Sequence, residues 1–479
     1  MGTINSAFST ITKALDAEQA ALNVVSNNVS NANTTGYTSE QAVWQQDSSL
    51  TINGVQYGTG SSVVSVKSTA DDVLQQRLNQ QQQLESASGA RLTALESTQA
   101  VFGVSTGSST SSSGDIGTDI TSFFDSFSSL EASPTDQSKR EEVLSTASTL
   151  AADISSASKS LSAQQSSLNQ SVVSTVSQVN ALSKSIASLN KQIQADGSSS
   201  SDLTLEDQRR EYISELSQLV GINQVDAGSS GLQITTTSGQ LLVAGGDYNT
   251  LTTGANNGVT DVYLTTTASD GTTTSTDITS NLYSGGGELG GYLQARDEDI
   301  PTVIGQLDQL AYSVSTEVNT LNNAGTDLNG NTSNAGDIFY APTAVDGAAS
   351  TMAVVMTDPN SIAAASSTAG TGDNSNAVAM ANLASSTIVS GATPSNYYST
   401  MLTDLGSLVS QVETENTAQS SSVTQLQSQV SSESSVNLND EASSLETLER
   451  SYQAASKVFS IINTMMAAAL NLGTETTVS

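Results

Sequence analysis

Residues 445–469 read LETLERSYQAASKVFSIINTMMAAA. Their apolar positions fall at alternating steps of three and four: Leu445, Leu448, Tyr452, Ala455, Phe459, Ile462, Met466 and Ala469. This is a heptad seam, the pattern that lays one side of a helix against a partner helix. A shorter seam stands at the other end of the chain, at Ile4, Phe8, Ile11 and Leu15. It resumes at Leu22, Val25 and Val29 after Glu18 breaks the row. Amphipathic helices at both ends predict a chain that doubles back, its terminal helices paired as an antiparallel coiled coil. They also predict a surface that other molecules cover. Burying one Leu or Phe is worth ~1.5–3 kcal/mol, whereas ordering each residue costs ~1–2 kcal/mol. A single helix pair covering one face sits near break-even. The ends are therefore expected to be poorly ordered in the monomer and to order on assembly. A stable intramolecular hairpin is the alternative.

Inward from the N-terminal seam, residues 4 to about 30 read as one helix. Asn27, Asn28, Asn31, Asn33 and Gly36 crowd its end, residue types that tolerate the left-handed conformation closing a helix. Residues 43–66 look extended, with Val43, Trp44, Leu50, Ile52, Val55, Tyr57, Val63, Val64 and Val66 set among Gly and Ser. The lone Trp44 is expected to be a packing residue. Helical period returns over 71–100 (Val73, Leu74, Leu78, Leu92, Leu95), and Ser105–Ser113 reads as a linker. A short helix over Ile116–Leu130 sets Phe123, Phe124 and Phe127 on one face. Ser133 and Pro134 are expected to open the next helix as N-cap and first residue. That helix runs to about Ala195, where Gly197 and a run of Ser end it; its seam is Leu168, Val172, Thr175, Val179, Leu182, Ile186, Leu189 and Ile193.

A helix over Leu205–Val220 precedes a change of character. Alternating apolar residues (Leu232, Ile234, Leu241, Val243, then Val259, Val262, Tyr263, Leu264), parted by Thr runs and Gly pairs, predict hairpins over 222–283. Helical period resumes from Gly290 to Asn323. Residues 325–375 form a loop-rich insert with one expected strand, Met352–Met356. Helices follow over Ser375–Ser390 and Ser395–Ser432, the second with Leu405, Val409, Val412, Val423, Leu426 and Val430 in a row interrupted by Asn416 and Gln419. The rows at 168–193 and 405–430 are similar in length and are expected to face each other in one antiparallel bundle. The fold class is thus mainly α with a smaller β-rich part: a terminal coiled coil followed by an elongated long-helix bundle. The expected division is 1–66 with 433–479 as terminal unit, 67–324 with 376–432 as bundle including 222–283, and 325–375 as a short insert.

Composition narrows the function. Hydrophobic residues make up 36% and aromatics 4% of 479 residues, which favours thin, elongated layers over one large globule. The net charge of −33, from 47 acidic and 14 basic residues, leaves little to neutralise phosphates, so nucleic acid is excluded as a partner. It also disfavours anionic lipid. With no Cys and no His, thiolate nucleophiles, His bases and His or Cys metal sites are excluded. No basic segment followed by an apolar core opens the chain, so a cleaved secretory signal is not expected. Val458–Leu470 is too short and too polar to span a bilayer. An enzyme would need carboxylates, Ser with Lys, or Tyr, and no carboxylate pair can be chosen from sequence. The string Asp327–Ser333 places oxygen ligands at alternate positions, but Thr332 stands where a calcium loop has Gly and Ile338 where it has Glu. An Asn/Gly turn is expected there. The triplets starting at Asn28, Asn33 and Asn331 match the glycosylation pattern, as chance provides in an Asn/Ser-rich chain. No metal, cofactor or catalytic residue is assigned.

The string Asn27-Asn28-Val29-Ser30-Asn31-Ala32-Asn33-Thr34-Thr35-Gly36-Tyr37-Thr38 resembles the signature of flagellar axial proteins, with Asn28, Asn33, Gly36 and Tyr37 at its turn. Val436–Glu441, with Arg450 to Ala455, Lys457 and Val458, resembles the matching C-terminal signature. Two internal strings are similar to the hook-associated protein 1 (FlgK) family: Leu205–Arg209 continuing through Leu216–Ile222, and Leu289–Leu293 with Arg296, Asp297, Ile300, Pro301, Leu307, Asp308, Val318, Asn319 and Gly325–Gly330. Departures are Ser39-Glu40 where the family often has Arg-Gln, a missing His near Asn322, and a short insert after Gly330 that implies a reduced outer domain. The resemblance implies a structural subunit of the hook–filament junction that assembles with itself as a ring or helical array. Its other implied partners are the hook protein, a second junction protein and a flagellar export chaperone. It further implies type III export from the cytoplasm. A seam such as Tyr452, Phe459, Ile462 and Met466 suits a chaperone groove, and a head-to-tail contact that does not close suits a helical array. Another axial protein (hook or flagellin-like) is the alternative within the class; outside it stand a secreted carboxylate-dependent hydrolase and an adhesin.

Overall fold

The computed structural model describes residues 2–52, 55–103, 115–196, 203–226, 231–256, 258–267 and 271–475. The chain opens with α1 (Gly2–Asn31). A nested hairpin follows, in which β1 (Glu40–Gln46) pairs antiparallel with β4 (Ser61–Ser68) and β2 (Leu50–Ile52) with β3 (Val55–Tyr57). Then come α2 (Asp72–Val101), α3 (Ile116–Ala132), α4 (Gln137–Asp196) and α5 (Leu203–Leu219). The β-rich part holds an antiparallel sheet of β5 (Ile222–Asp226), β6 (Leu232–Thr236), β7 (Leu241–Ala244) and β8 (Asp247–Tyr248). A second sheet has β10 (Val259–Thr267) between β9 (Thr250–Asn256) and β11 (Thr273–Asp277). The one-turn α6 (Thr279–Leu282) leads to α7 (Gly287–Gln294), which passes through a π turn at Ala295–Asp299 into α8 (Ile300–Ala324). After α9 (Ala348–Thr351) and α10 (Ser375–Ala381), the long α11 (Pro394–Ser434) and α12 (Leu438–Glu475) complete the chain.

The architecture is mainly helical with small sheets, and it is elongated. The 60 residues of α4 alone span about 90 Å at 1.5 Å per residue. Two cores lie along it. In the helical core, Val143, Leu150, Ile154 and Leu161 of α4 pack with α3, α8, α11 and the insert. Phe123 sits at its centre, edge-on to Phe127 (ring centroids 5.3 Å apart) and Phe339 (5.4 Å). In the second core, Val172, Val176, Val179 and Ile186 of α4 cover Ile234, Leu242, Val243, Leu251, Val262 and Leu264 of the sheets, with Ile213 and Leu216 of α5. The π turn marks the boundary. Leu289 and Leu293 before it belong to the second core; Ala295 and Ile300 belong to the first. Three of its charged residues are matched, and the fourth, Glu298, is exposed. Arg91 of α2 grips Asp299 through two 2.8 Å bonds, and the buried Arg296 holds Asp297 and the Thr260 carbonyl at 2.6 Å.

Several expectations need correction. The 168–193 row of α4 does not face the 405–430 row of α11. From Val172 on it covers the sheets, while Leu168 belongs to the helical core. The end of α11 beyond Val412 lies instead on α2, joined by polar contacts such as Asn416 to the Glu85 carbonyl (3.1 Å) and Ser88 Oγ (3.0 Å). Ser133 and Pro134 do not open α4. They form a turn closed by Asp136 N–H donating to the Ser133 carbonyl (3.0 Å), and the Asp136 carboxylate caps the helix through Ser138 N–H (2.8 Å). A carboxylate at this position satisfies a free N–H and meets the positive end of the helix. Met352–Met356 is not a strand; only the Phe339–Val354 bridge forms there. The helix expected over Ser375–Ser390 ends at Ala381 in a 3₁₀ turn. Trp44 is 44% exposed rather than packed, because the narrow β1–β4 ribbon has too few strands to cover it. The linker expected over 105–113 and the Gly197–Ser run lie outside the described residues.

Candidate functional site

The terminal helices α1 and α12 pack antiparallel. Phe8 and Phe459 stack at 5.1 Å near one end, and Asn28 donates to Glu441 at 2.8 Å near the other. The seam residues Ile4, Phe8, Ile11, Leu15 and Leu22 are half-buried and Val25 is buried, but Val29 is 44% exposed. In the second half of α1 the buried row runs through Ala17, Ala21, Val24 and Asn28, one step round the helix from Leu22 and Val29. Glu18 sits beside this row, and burial pushes its carboxyl group up from the ordinary value. Its Oε2 is buried and unpaired.

Across the pair, Leu448, Ala455, Phe459, Ile462 and Met466 of α12 are half-buried, while Leu445 and Tyr452 are exposed. Among the described side chains of α12, none is buried. Leu438, Val458, Ile461 and Met465 are exposed as well, Ile461 at 59%. Sequence reasoning missed these. The i, i+3, i+7 spacing of Val458, Ile461 and Met465 was the available signal for a second apolar row. The hairpin β1–β4 lies along α1, fastened by Lys13 to Asp47 at 2.6 Å. A groove of about 990 Å³ remains between α1, β1 and the start of α12, lined by Val24, Val25, Trp44, Leu438 and Leu448.

The signature turn closes α1 and ties the terminal helices together. Asn28 is buried and its amide is saturated. Nδ2 donates to the Glu40 carbonyl (2.9 Å) and to Glu441 (2.8 Å), and Oδ1 accepts from Glu40 N–H (2.9 Å) and the Tyr37 hydroxyl (2.8 Å). Burial, and then Glu40, Asp207 and Glu441 nearby, hold the Tyr37 hydroxyl protonated by raising its pKa. Gly36 takes a left-handed φ of +77°, and a Cβ there would lie 2.2 Å from a Glu211 carboxylate oxygen. Asn33 is exposed on the turn. The turn rests against α5 of the bundle. Asp207 accepts from Thr38 N–H (3.0 Å) and the Thr38 hydroxyl (2.7 Å), and pairs with Arg210.

These groups offer hydrogen bonds and apolar contact. Among the described residues, no three or more acidic side chains converge on a metal position. Both Asp327 carboxylate oxygens are engaged by Asn331, at 2.8 Å each, which is turn geometry. Among the described residues, no helix is long and apolar enough to cross a membrane.

Two family models match the chain. One is described as the flagellar hook-associated protein FlgK helical domain and matches residues 106–339; the other is the flagella basal body rod protein, matching 8–38. The second match contains the signature turn. The chain is 28% identical to flagellar hook-associated protein 1 of Escherichia coli (strain K12), over 98% of this chain and 99% of the relative. It is 25% identical to the protein of that name from Bacillus subtilis (strain 168), over 96% and 97%. The alignment with the former runs over 556 positions, more than the 479 residues present here, so that relative has residues without a counterpart in this chain. Among solved structures, the flagellar hook junction protein FlgK from Burkholderia pseudomallei shares the fold, with a TM-score of 0.64 and 18% identity over 74% of this chain and 99% of that one.

Proposed function

We propose that this chain, which belongs to the flagellar hook-associated protein 1 family, is a structural subunit of the bacterial flagellum that joins hook to filament. One observation carries the reading: α12 keeps large apolar residues exposed and, among its described side chains, buries none, while the bundle closes two cores of its own. In the assembly, copies of the chain array themselves through α1 and α12, and the hook protein and a second junction protein lie above and below. Before export by the flagellar type III pathway, a chaperone covers Tyr452, Phe459, Ile462 and Met466. The terminal unit (1–66 with 433–479) forms the inner layer and the bundle the next. Residues 325–375 stand where relatives carry a larger outer part. The role is structural, without catalysis.

Deletion of the gene is the decisive test. The expected result is cells with hooks but no filaments and flagellin monomers in the medium, with filaments restored by the gene in trans. Normal filaments in the deletion strain refute the proposal.

A further inference from the structure

The terminal unit is joined covalently to the bundle at only two places, Ser68–Asp72 between β4 and α2, and Ser434–Leu438 between α11 and α12. Two connectors define a hinge, and hinges of this kind sit at the ends of elements. Residues 38 and 39 of the signature turn gather both. The Thr38 hydroxyl lies 2.6 Å from Ser68 Oγ, Ser39 N–H donates to the Ser434 carbonyl at 2.8 Å, and Thr69 N–H donates to the Ser39 carbonyl at 2.8 Å. The turn is thus a clasp on the hinge, and one bundle carboxylate fastens it. Asp207, buried on α5, takes Thr38 N–H on one oxygen and the Thr38 hydroxyl on the other. Arg210 orients that carboxylate and reaches the Thr38 and Ser68 hydroxyls at 3.3 and 3.5 Å. A bidentate, charge-assisted grip fixes direction as well as distance.

We infer that Asp207 is a positioning residue: by holding Thr38 it fixes the angle at which the terminal helices leave the bundle. Without that bond the clasp still holds the two connectors together but keeps only the longer Arg210 contacts and the Gly36–Glu211 approach on α5, which leave its angle less defined. A cavity of about 380 Å³ beside it, lined by Gly36, Leu74, Arg210 and Glu433, leaves room for the movement. The consequence for the array rests on the junction reading, because only in an assembly does this angle set where the bundle stands around the inner helices. The angle itself does not depend on that reading.

The chain contains no Cys, so paired spin labels can be placed cleanly at Ala181→Cys on α4 and Gln19→Cys in the half of α1 that carries its buried row, both exposed positions. Pulsed electron paramagnetic resonance on the full-length monomer then reads the distance distribution across the hinge. Asp207→Ala is expected to broaden it roughly twofold while the thermal midpoint moves by only a few degrees, and Thr38→Val to broaden it less. A distribution as narrow as the parent's overturns the inference, whether or not the midpoint falls, since a merely structural role lowers the midpoint alone. If Asp207→Ala loses its helical circular dichroism, Thr38→Val decides on the same terms. In cells, the parent gene failing to restore filaments to the deletion strain sinks the junction reading and leaves the hinge measurement standing.

Discussion

The apolar rows of α3 and α12 are written with the same helical spacing and end in opposite circumstances. On α3, Phe123, Phe124 and Phe127 are each at most 1% exposed, closed in by α4, α8, α11 and the insert. On α12, among the described residues, Phe459 has one helix beside it and a single ring contact, to Phe8. A row's spacing states which side of a helix is apolar; the number of layers around it decides how much stability follows. Where a chain leaves a strong row under one thin layer, that row is where a partner is to be sought.

Amide exchange on the free monomer probes this contrast most strongly. Amides of α3 and the first half of α4 are expected to open only with global unfolding, on the order of 5–15 kcal/mol. Those of α12 are expected to exchange as a frayed segment. Strong protection at both chain ends would make the terminal pair self-sufficient and remove the need for a partner. Truncation comes next in size. Phe123→Ala is expected to destabilise the bundle by ~3–5 kcal/mol in urea titrations. Phe459→Ala should cost the monomer less than about 1 kcal/mol yet reduce filament number on complementation. Equal losses for the two variants would erase the distinction.

The smallest effect refines the picture from inside the bundle. Burial, and then a hydrogen bond shared with Asp153, raise the Asp119 carboxyl of α3 to about 6. A carboxyl pKa raised in the folded chain means that the charged form burdens the fold above about pH 6, and that acid relieves the burden. Asp119→Asn is therefore expected to stabilise the protein at neutral pH by about 1 kcal/mol once solvent screening is allowed for. The advantage should vanish by about pH 4. An advantage that stays constant with pH excludes titration as its source.

Much of this was legible in the chain. The α3 row, the long α4, the hairpins and the pairing of the terminal helices are all written in local patterns, and such patterns survive folding when nothing opposes them. What was illegible was partnership. Spacing places Val172 and Val179 on one face of α4 but does not say that Leu242 and Val262 of the sheets will cover it rather than Val423 or Leu426 of α11. Asp136 outcompeted Ser133 as a cap because its carboxylate stands beside the first turn of α4, a difference of a few residues that pattern reading does not resolve. At the signature turn, the motif pointed to Asn28 and Tyr37. The carboxylates that give the turn its connections, Asp207 and Glu441, lie 169 residues from Thr38 and 413 from Asn28, so no local pattern joins them.

The π turn carries a mechanical consequence. One extra residue in a helical turn rotates everything beyond it by about 100° around the axis. This lets α7 and α8 remain one continuous rod while presenting apolar side chains first to the sheet core and then to the helical core. The rod lies beside α4, which is seated in both cores as well. Two stiff beams anchored at both ends resist twisting of one core against the other; Arg296 ties the rod to Asn169 of α4 at 3.0 Å, and Arg91 adds α2 to it through Asp299. The two cores are thereby coupled against relative twist, and a bend between terminal unit and bundle would fall outside them, at the two connectors.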